Sequence, residues 1–283
     1  MSTKRNAFTL IELLVVISII ALLVAILMPA LNKAREQATG AVCLGNHKAL
    51  IMAFLMYCGD NEDSFCSGYV NLDVLKRDPP TWVMAPLAYA NDGSLLYQQY
   101  PTELEFRKNG IREGALYEYI NTTDVYNCPG DRRWLKGTSN GKPPEYGVFR
   151  SYALPDYYRV NDLAIKETKI TNIKPASEKY VFLEDNYDGP WSIDAWSYFV
   201  GERKYWDPIG NYHNVAATFS FADGHGEMHK WEDPRTWIFC NSRAEASAQG
   251  CGKGHVQVNP LNPDHDWLDR HYPGKTRYPG GVP

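Results

Sequence analysis

Phe8-Thr9-Leu10-Ile11-Glu12-Leu13-Leu14-Val15-Val16-Ile17-Ser18-Ile19-Ile20-Ala21-Leu22-Leu23-Val24-Ala25-Ile26-Leu27-Met28 is an apolar run holding one carboxylate, Glu12, near its start. A short basic leader with Lys4 and Arg5 stands just ahead of it. At about 1.5 Å of rise per residue the run makes a helix roughly 31 Å long, enough to cross a bilayer's hydrocarbon core. An ionisable group inside such a segment costs at least about 2.5–3.5 kcal/mol, so Glu12 points to a function and a cationic partner. A secretory signal is a poorer reading, because its apolar core is shorter and ends at a small-residue cleavage site. Here Met28-Pro29-Ala30-Leu31 leads into more helix. A plain membrane anchor has no need of Glu12.

Phe8-Thr9-Leu10-Ile11-Glu12 behind a basic leader resembles the class III signal of type IV prepilins and type II secretion pseudopilins. The resemblance implies cleavage between Ala7 and Phe8 by the prepilin peptidase, then N-methylation of Phe8. Glu12 becomes the fifth residue of the mature chain, where the family carries its glutamate. Pro29 takes the place of the family's helix-bending proline. Ala7 departs from the usual glycine before the cut, though it is small enough for the same slot. The family fold is α+β and pilin-like, a long N-terminal helix packed on a head with an antiparallel sheet. Its partners are other pseudopilin subunits, in a homo- or hetero-polymer, and an inner-membrane assembly platform.

Elementary physics agrees with that resemblance. Lys4 and Arg5 hold the leader in the cytoplasm, which puts everything after residue 30 outside it; the resemblance implies a bacterial inner membrane with the head in the periplasm. Removing the leader creates an α-ammonium at Phe8. Glu12 of one subunit can pair with that ammonium on a neighbour, offsetting the burial of both charges. Pro29 has no N–H to close the bond back to residue 25, so a bend or melted turn is expected there.

The organisation follows: a leader at 1–7, a helix at 8–58 that is transmembrane over 8–28, and an extracytoplasmic head at 59–283. The head ends in a loop-rich tail, 232–283, expected to wrap the surface as extended chain. Leu31, Ala34, Ala38, Ala41, Gly45, Ala49, Met52 and Met56 recur at helical spacing and predict the stripe that seats the head. Gly59 is placed to cap the helix. A short helix is expected within 109–120, and a strand over 181–185. The net charge of −4 becomes −6 once Lys4 and Arg5 are removed, and no basic run reverses it; nucleic acid is not an expected partner.

Six cysteines, Cys43, Cys58, Cys66, Cys128, Cys240 and Cys251, lie in a segment expected outside the cytoplasm, where disulfides form. Six cysteines allow about 15 pairings and the sequence does not choose among them; Cys43–Cys128, Cys58–Cys66 and Cys240–Cys251 are the candidate pairs, with buried free thiols as the alternative. A zinc site on the cysteines is not expected, since no Cys-x-x-Cys spacing occurs. Asp60-Asn61-Glu62-Asp63 offers four oxygen-bearing side chains, so Ca2+ is a cofactor to consider. The run lacks the alternation and glycine turn of a calcium loop, and a solvated loop is the simpler reading.

Asp223-Gly224 between two alternating runs is a strong hairpin signal. A two-residue tip there opposes Ala222 with His225, Ser220 with Glu227 and Thr218 with His229. Phe219, Phe221 and Met228 then face the core, and Thr218, Ser220, His225, Glu227 and His229 face solvent. His213, Asp223 and Gly224 also resemble the His-x9-Asp-Gly signature of a group of large pseudopilin-like proteins. The pieces 43–48, 126–129, 181–185 and 262–268 match that group too. His213 with Asp223 and Asp185 are metal candidates, against a simpler reading in which they anchor loops.

No nucleophile elbow, His-Glu-x-x-His pattern or phosphate-cradling loop occurs, so the chain is not expected to be an enzyme. The function expected from this reading is a pseudopilin-like subunit of a type II secretion pseudopilus. The alternatives are an adhesive type IV pilin, or a membrane-tethered glycan-binding or metal-dependent protein. The glycan reading draws on Trp191, Trp196, Tyr198 and Tyr205, which could stack on sugars if exposed.

Overall fold

The computed structural model describes residues 10–68, 80–84, 102–131, 149–158, 168–186, 195–200, 204–205, 207–241, 256–257 and 262–274. Helix α1, Leu10–Asp60, runs unbroken through Pro29. It is the one helix among the described residues long and apolar enough to cross a membrane, and its most apolar window is not covered by the head at all. Glu62 and Asp63, both at positive φ, take the chain out of the helix. Gly59 therefore stays helical and is not the cap.

Two short helices follow, α2 (Glu103–Arg112) and α3 (Tyr117–Ile120). The Thr102 hydroxyl accepts from the Glu105 amide and caps α2, which starts ahead of the expected 109–120 segment. The strands are β1 (Tyr152–Ala153), β2 (Tyr180–Glu184), β3 (Tyr198–Phe199), β4 (Lys204–Tyr205), β5 (Ala216–Phe221), β6 (Gly226–Lys230) and β7 (Val256–Gln257). An antiparallel sheet of order β1-β2-β5-β6 forms the centre of the head, and β3-β4-β7 make a smaller one. Helix α4 (Pro234–Asn241) precedes β7, and α5 (Pro263–His271) follows it. Among the described residues the tail contributes two helices and a strand; Asn262 accepts from the Asp264 amide and starts α5, with Pro263 at its first turn.

The larger sheet is covered on both faces. On one side Leu50, Ile51 and Phe54 of α1 pack with Phe65, Trp82, Tyr126, Tyr158 and Phe182. On the other, Phe219 and Phe221 pack with Tyr180, Trp196, Tyr198, Tyr205, Trp231, Leu268 and Tyr272. Trp196, Tyr198 and Tyr205 are thus buried core residues, which removes them from the sugar-stacking reading; Trp191 lies outside the described residues.

Two expectations about faces are corrected. The buried side of α1 is Gly40, Cys43, His47, Leu50, Ile51, Ala53, Phe54, Tyr57 and Cys58. Leu31, Ala34, Ala38, Ala41, Gly45, Met52 and Met56 are exposed. This helix is apolar on several sides, and the large rings at 54 and 57 choose the docked face over a stripe of small residues. In the hairpin, Ser220 opposes Gly226, Thr218 opposes Met228 and Ala217 opposes His229. Phe221 carries hydrogen bonds to His225 and Gly224 across a three-residue tip, with Gly224 at φ 92°. A third tip residue shifts the register by one, which exchanges partners across the ladder.

That shift decides what the helix meets. A Cβ on Gly226 would lie 3.6 Å from Leu44, and one on Gly40 would lie 2.4 Å from the Met228 methyl. Gly226, Met228 and their partners Ser220 and Thr218 therefore form the face under α1, and Thr218 and Ser220 are fully buried rather than solvated. Small side chains let the helix approach the sheet closely. His229 is likewise not solvated, since it stacks on Trp267 at 4.0 Å.

Candidate functional site at the helix–head junction

Four parts of the chain converge beneath α1. Cys43 comes from the helix, Cys128 from the turn after α3, Glu184 from the last position of β2, and His213 from the segment leading into β5. All four are buried, and their donor atoms lie within 4.8 Å of one another. Cys43 Sγ is 2.8 Å from Cys128 Sγ, and His213 Nε2 is 3.4 Å from Cys128 Sγ. His213 Nε2 is also 2.9 Å from Glu184 Oε1.

Local structure holds each group in place. The Cys128-Pro129-Gly130 turn brings the Gly130 amide back to Cys128 Sγ at 3.3 Å. The Cys128 amide donates to Ser151 Oγ at 2.9 Å, and that hydroxyl donates to Asp131 Oδ2 at 2.7 Å. Asn46, one turn along α1 from Cys43, donates to the Asn127 carbonyl at 3.0 Å and so pins the turn to the helix. Glu184 Oε2 accepts from the Thr218 amide at 3.0 Å. His213 Nδ1 lies 3.5 Å from the Thr39 hydroxyl, leaving Nε2 on the side of the cluster.

The electrostatics of this pocket are those of crowded ionisable groups in an apolar interior. Burial pulls His213 down, but its hydrogen bonds to Cys128 and Glu184 outweigh that and raise it to about 10. Burial and the adjoining Cys43 push the Cys128 thiol up, against the pull of His213. His47, also buried, is pulled down to about 3 by burial and by the nearby His213.

Of the residues expected to matter, His213 sits in this cluster. Asp223 is at the hairpin tip, where it accepts from the His225 amide at 3.1 Å and pairs with the His225 ring at 2.6 Å. Asp185 continues β2 as a bridge to Ile209. Neither is among the groups gathered around His213. Cys43 and Cys128 are brought together as expected, yet Cys43, Cys58, Cys66 and Cys128 are all free thiols here. Cys240 stands at the end of α4 and Cys251 lies outside the described residues, so the third pair is not visible. In the 60–63 run, Asp60 accepts from the Tyr119 hydroxyl at 2.9 Å and the Asn61 amide group donates to the Tyr57 carbonyl at 2.8 Å. Both are helix-end contacts.

Glu184 is not among the metal candidates that the sequence suggests. Its one signal is a carboxylate at the end of an otherwise apolar strand, Tyr-Val-Phe-Leu-Glu, buried at every position. The expectation of no zinc site rests on short cysteine spacing, whereas these four donors come from separate elements.

At the other end of the molecule, Glu12 lies in the first turn of α1 and the apolar span beyond it is exposed to its surroundings. The family model of the prokaryotic N-terminal methylation motif matches residues 2–28. The chain carries a prokaryotic N-terminal methylation motif. That motif and the long-helix, antiparallel-sheet architecture support a pilin-like protein made as a precursor and anchored by its N-terminal helix. No curated protein and no solved structure matches the chain.

Proposed function

We infer that the chain is a pseudopilin-like structural subunit, trimmed between Ala7 and Phe8 and assembled into a type II secretion pseudopilus. The observation that carries this reading is the methylation motif at 2–28 ending in a lipid-length apolar helix that the head leaves bare. A bare apolar helix is stable in a bilayer, and in a filament it exchanges lipid for neighbouring helices. Glu12 at the top of that helix has its cationic partner in the freed amine of an adjoining subunit. The head stands in the periplasm and offers its outer surface to cargo or to other subunits.

Mass spectrometry of the native N-terminus tests processing. The expected mature chain begins with N-methylated Phe8, and an intact Met1 overturns the reading. A deletion strain then separates secretion from adhesion. Loss of secreted proteins from the medium supports the pseudopilus, and unchanged secretion with lost surface attachment makes the chain an adhesive pilin instead.

A further inference from the structure

We propose that Cys43, Cys128, Glu184 and His213 bind a structural zinc ion that clips the N-terminal helix to the head. This inference stands apart from the filament reading, since it concerns only how one chain holds itself together.

The donor set is that of a closed tetrahedral site: two thiolates, one imidazole nitrogen and one carboxylate oxygen. Soft sulfur donors favour zinc over calcium or magnesium, which take oxygen shells. The donors are spaced for it. A tetrahedron with about 2.3 Å Zn–S and 2.0–2.1 Å Zn–N bonds has edges of roughly 3.3–3.8 Å. The four atoms lie between 2.8 Å and 4.8 Å of one another. Binding therefore needs the two sulfurs to part by about 1 Å around the ion.

Charge gives the second argument. Glu184 and His213 are enclosed with two thiols in an interior lined by aromatic side chains. Such a group of ionisable side chains is costly to bury, and apolar residues of similar size would be cheaper. A dication turns the same crowd into an attraction and deprotonates both thiols.

The surroundings give the third. The Gly130 amide aimed at Cys128 Sγ is the kind of donor that steadies a metal-bound thiolate. The Thr218 amide occupies Glu184 Oε2, so Oε1 is the oxygen presented to the cluster. Thr39 near His213 Nδ1 orients the ring to present Nε2. A Cys43–Cys128 disulfide would use two of the four groups and leave Glu184 and His213 as a buried pair, held by each other, the Thr218 amide and Thr39. All four positions come from protein, so the ion has no open place for substrate and its role is structural.

The test uses the full-length chain, purified in detergent without chelators, with metal measured by elemental mass spectrometry. About one zinc per chain is expected, and Cys128→Ser and His213→Ala should each reduce that to background. Cys66→Ser, altering a buried thiol outside the cluster, should leave it unchanged. Because the first two variants could misfold, wild-type protein should also be stripped with a chelator and reloaded with cobalt. Ligand-field bands of a tetrahedral thiolate site support the proposal. It is overturned if wild type holds no zinc and takes up neither zinc nor cobalt, or if a Cys43–Cys128 cross-linked peptide accounts for the thiols.

Discussion

Lys48 on α1 donates to the carbonyl of Gly224 at the tip of the β5–β6 hairpin, 2.7 Å away. His213, just before β5, meets the same helix through Thr39 and Cys43. The two ends of β5 are therefore fastened to α1 about two turns apart, with Thr218 and Ser220 between them under the helix. The histidine and the Asp-Gly pair, with nine residues between them, are thereby held at the two ends of one strand. One marks where the strand enters the helix-facing layer and the other where it turns away.

Gly224 should tolerate no side chain on conformational grounds. A Cβ would meet Leu55 at an ordinary 3.5 Å, so space is available, but φ is 92°. Gly224→Ala is expected to destabilise by about 1–2 kcal/mol. Gly59→Ala makes the contrast, because Gly59 lies in α1 with nothing within 4 Å of its would-be Cβ. It should stabilise by up to about 1 kcal/mol. Urea unfolding of both variants reads the opposite signs, and equal shifts would refute the assignment of the tip.

At Gly210 the limit is space instead. A Cβ there would lie 2.3 Å from the Glu184 Cβ and 3.0 Å from its carbonyl oxygen, which accepts from the Gly210 amide. Gly210→Ala must push β2 away from the segment that carries His213. A loss of about 1–3 kcal/mol is expected. A denaturation midpoint equal to wild type would show that β2 and this segment are not in close contact.

The long helix, the β2 strand and the existence of the hairpin were legible because each depends on local pattern. The helix face was not. Positions 31–56 hold apolar residues on several sides, and only the partners of Phe54 and Tyr57 decide which side is covered. The hairpin register was not legible either, since Asp-Gly suits both a two-residue tip and part of a three-residue tip. In the cluster, His213 stands out as a metal candidate and Cys43–Cys128 as a candidate pair, but no local pattern joins them to each other or to Glu184. Cys43, Cys128 and Glu184 are far apart in the chain, and topology alone makes them adjacent.

Asp264 ties the tail to the sheet and gives a pH dependence. Its carboxylate accepts from the Glu232 and Asp233 amides at 2.9 and 3.0 Å. Burial raises its pKa, but His229, those amides and Thr236 outweigh it and hold the carboxyl below its usual value. A carboxyl that titrates lower when folded adds stability fully above its unfolded value of about 3.9 and loses it as pH falls through the folded value. Asp264→Asn should cost about 1–3 kcal/mol at pH 7. The gap to wild type should narrow in acid below that unfolded value. Melting curves at neutral and acid pH measure this, and a gap that stays constant would mean the carboxylate is not the stabilising species.

Glu12 tests assembly in isolation from folding, because it lies far from the head on a span that the head leaves uncovered. The charge it carries is tolerable in lipid only with a cation near it. Breaking a buried pair by removing one partner costs about 3–5 kcal/mol, which at each subunit contact is more than a hundredfold in affinity. On the proposed reading, Glu12→Leu should therefore insert and be trimmed between Ala7 and Phe8, yet fail to polymerise. Shearing filaments from cells and weighing the mature N-terminus separates the two steps. Normal filaments built from the trimmed Glu12→Leu chain would mean that helix packing alone, without an ion pair, drives assembly.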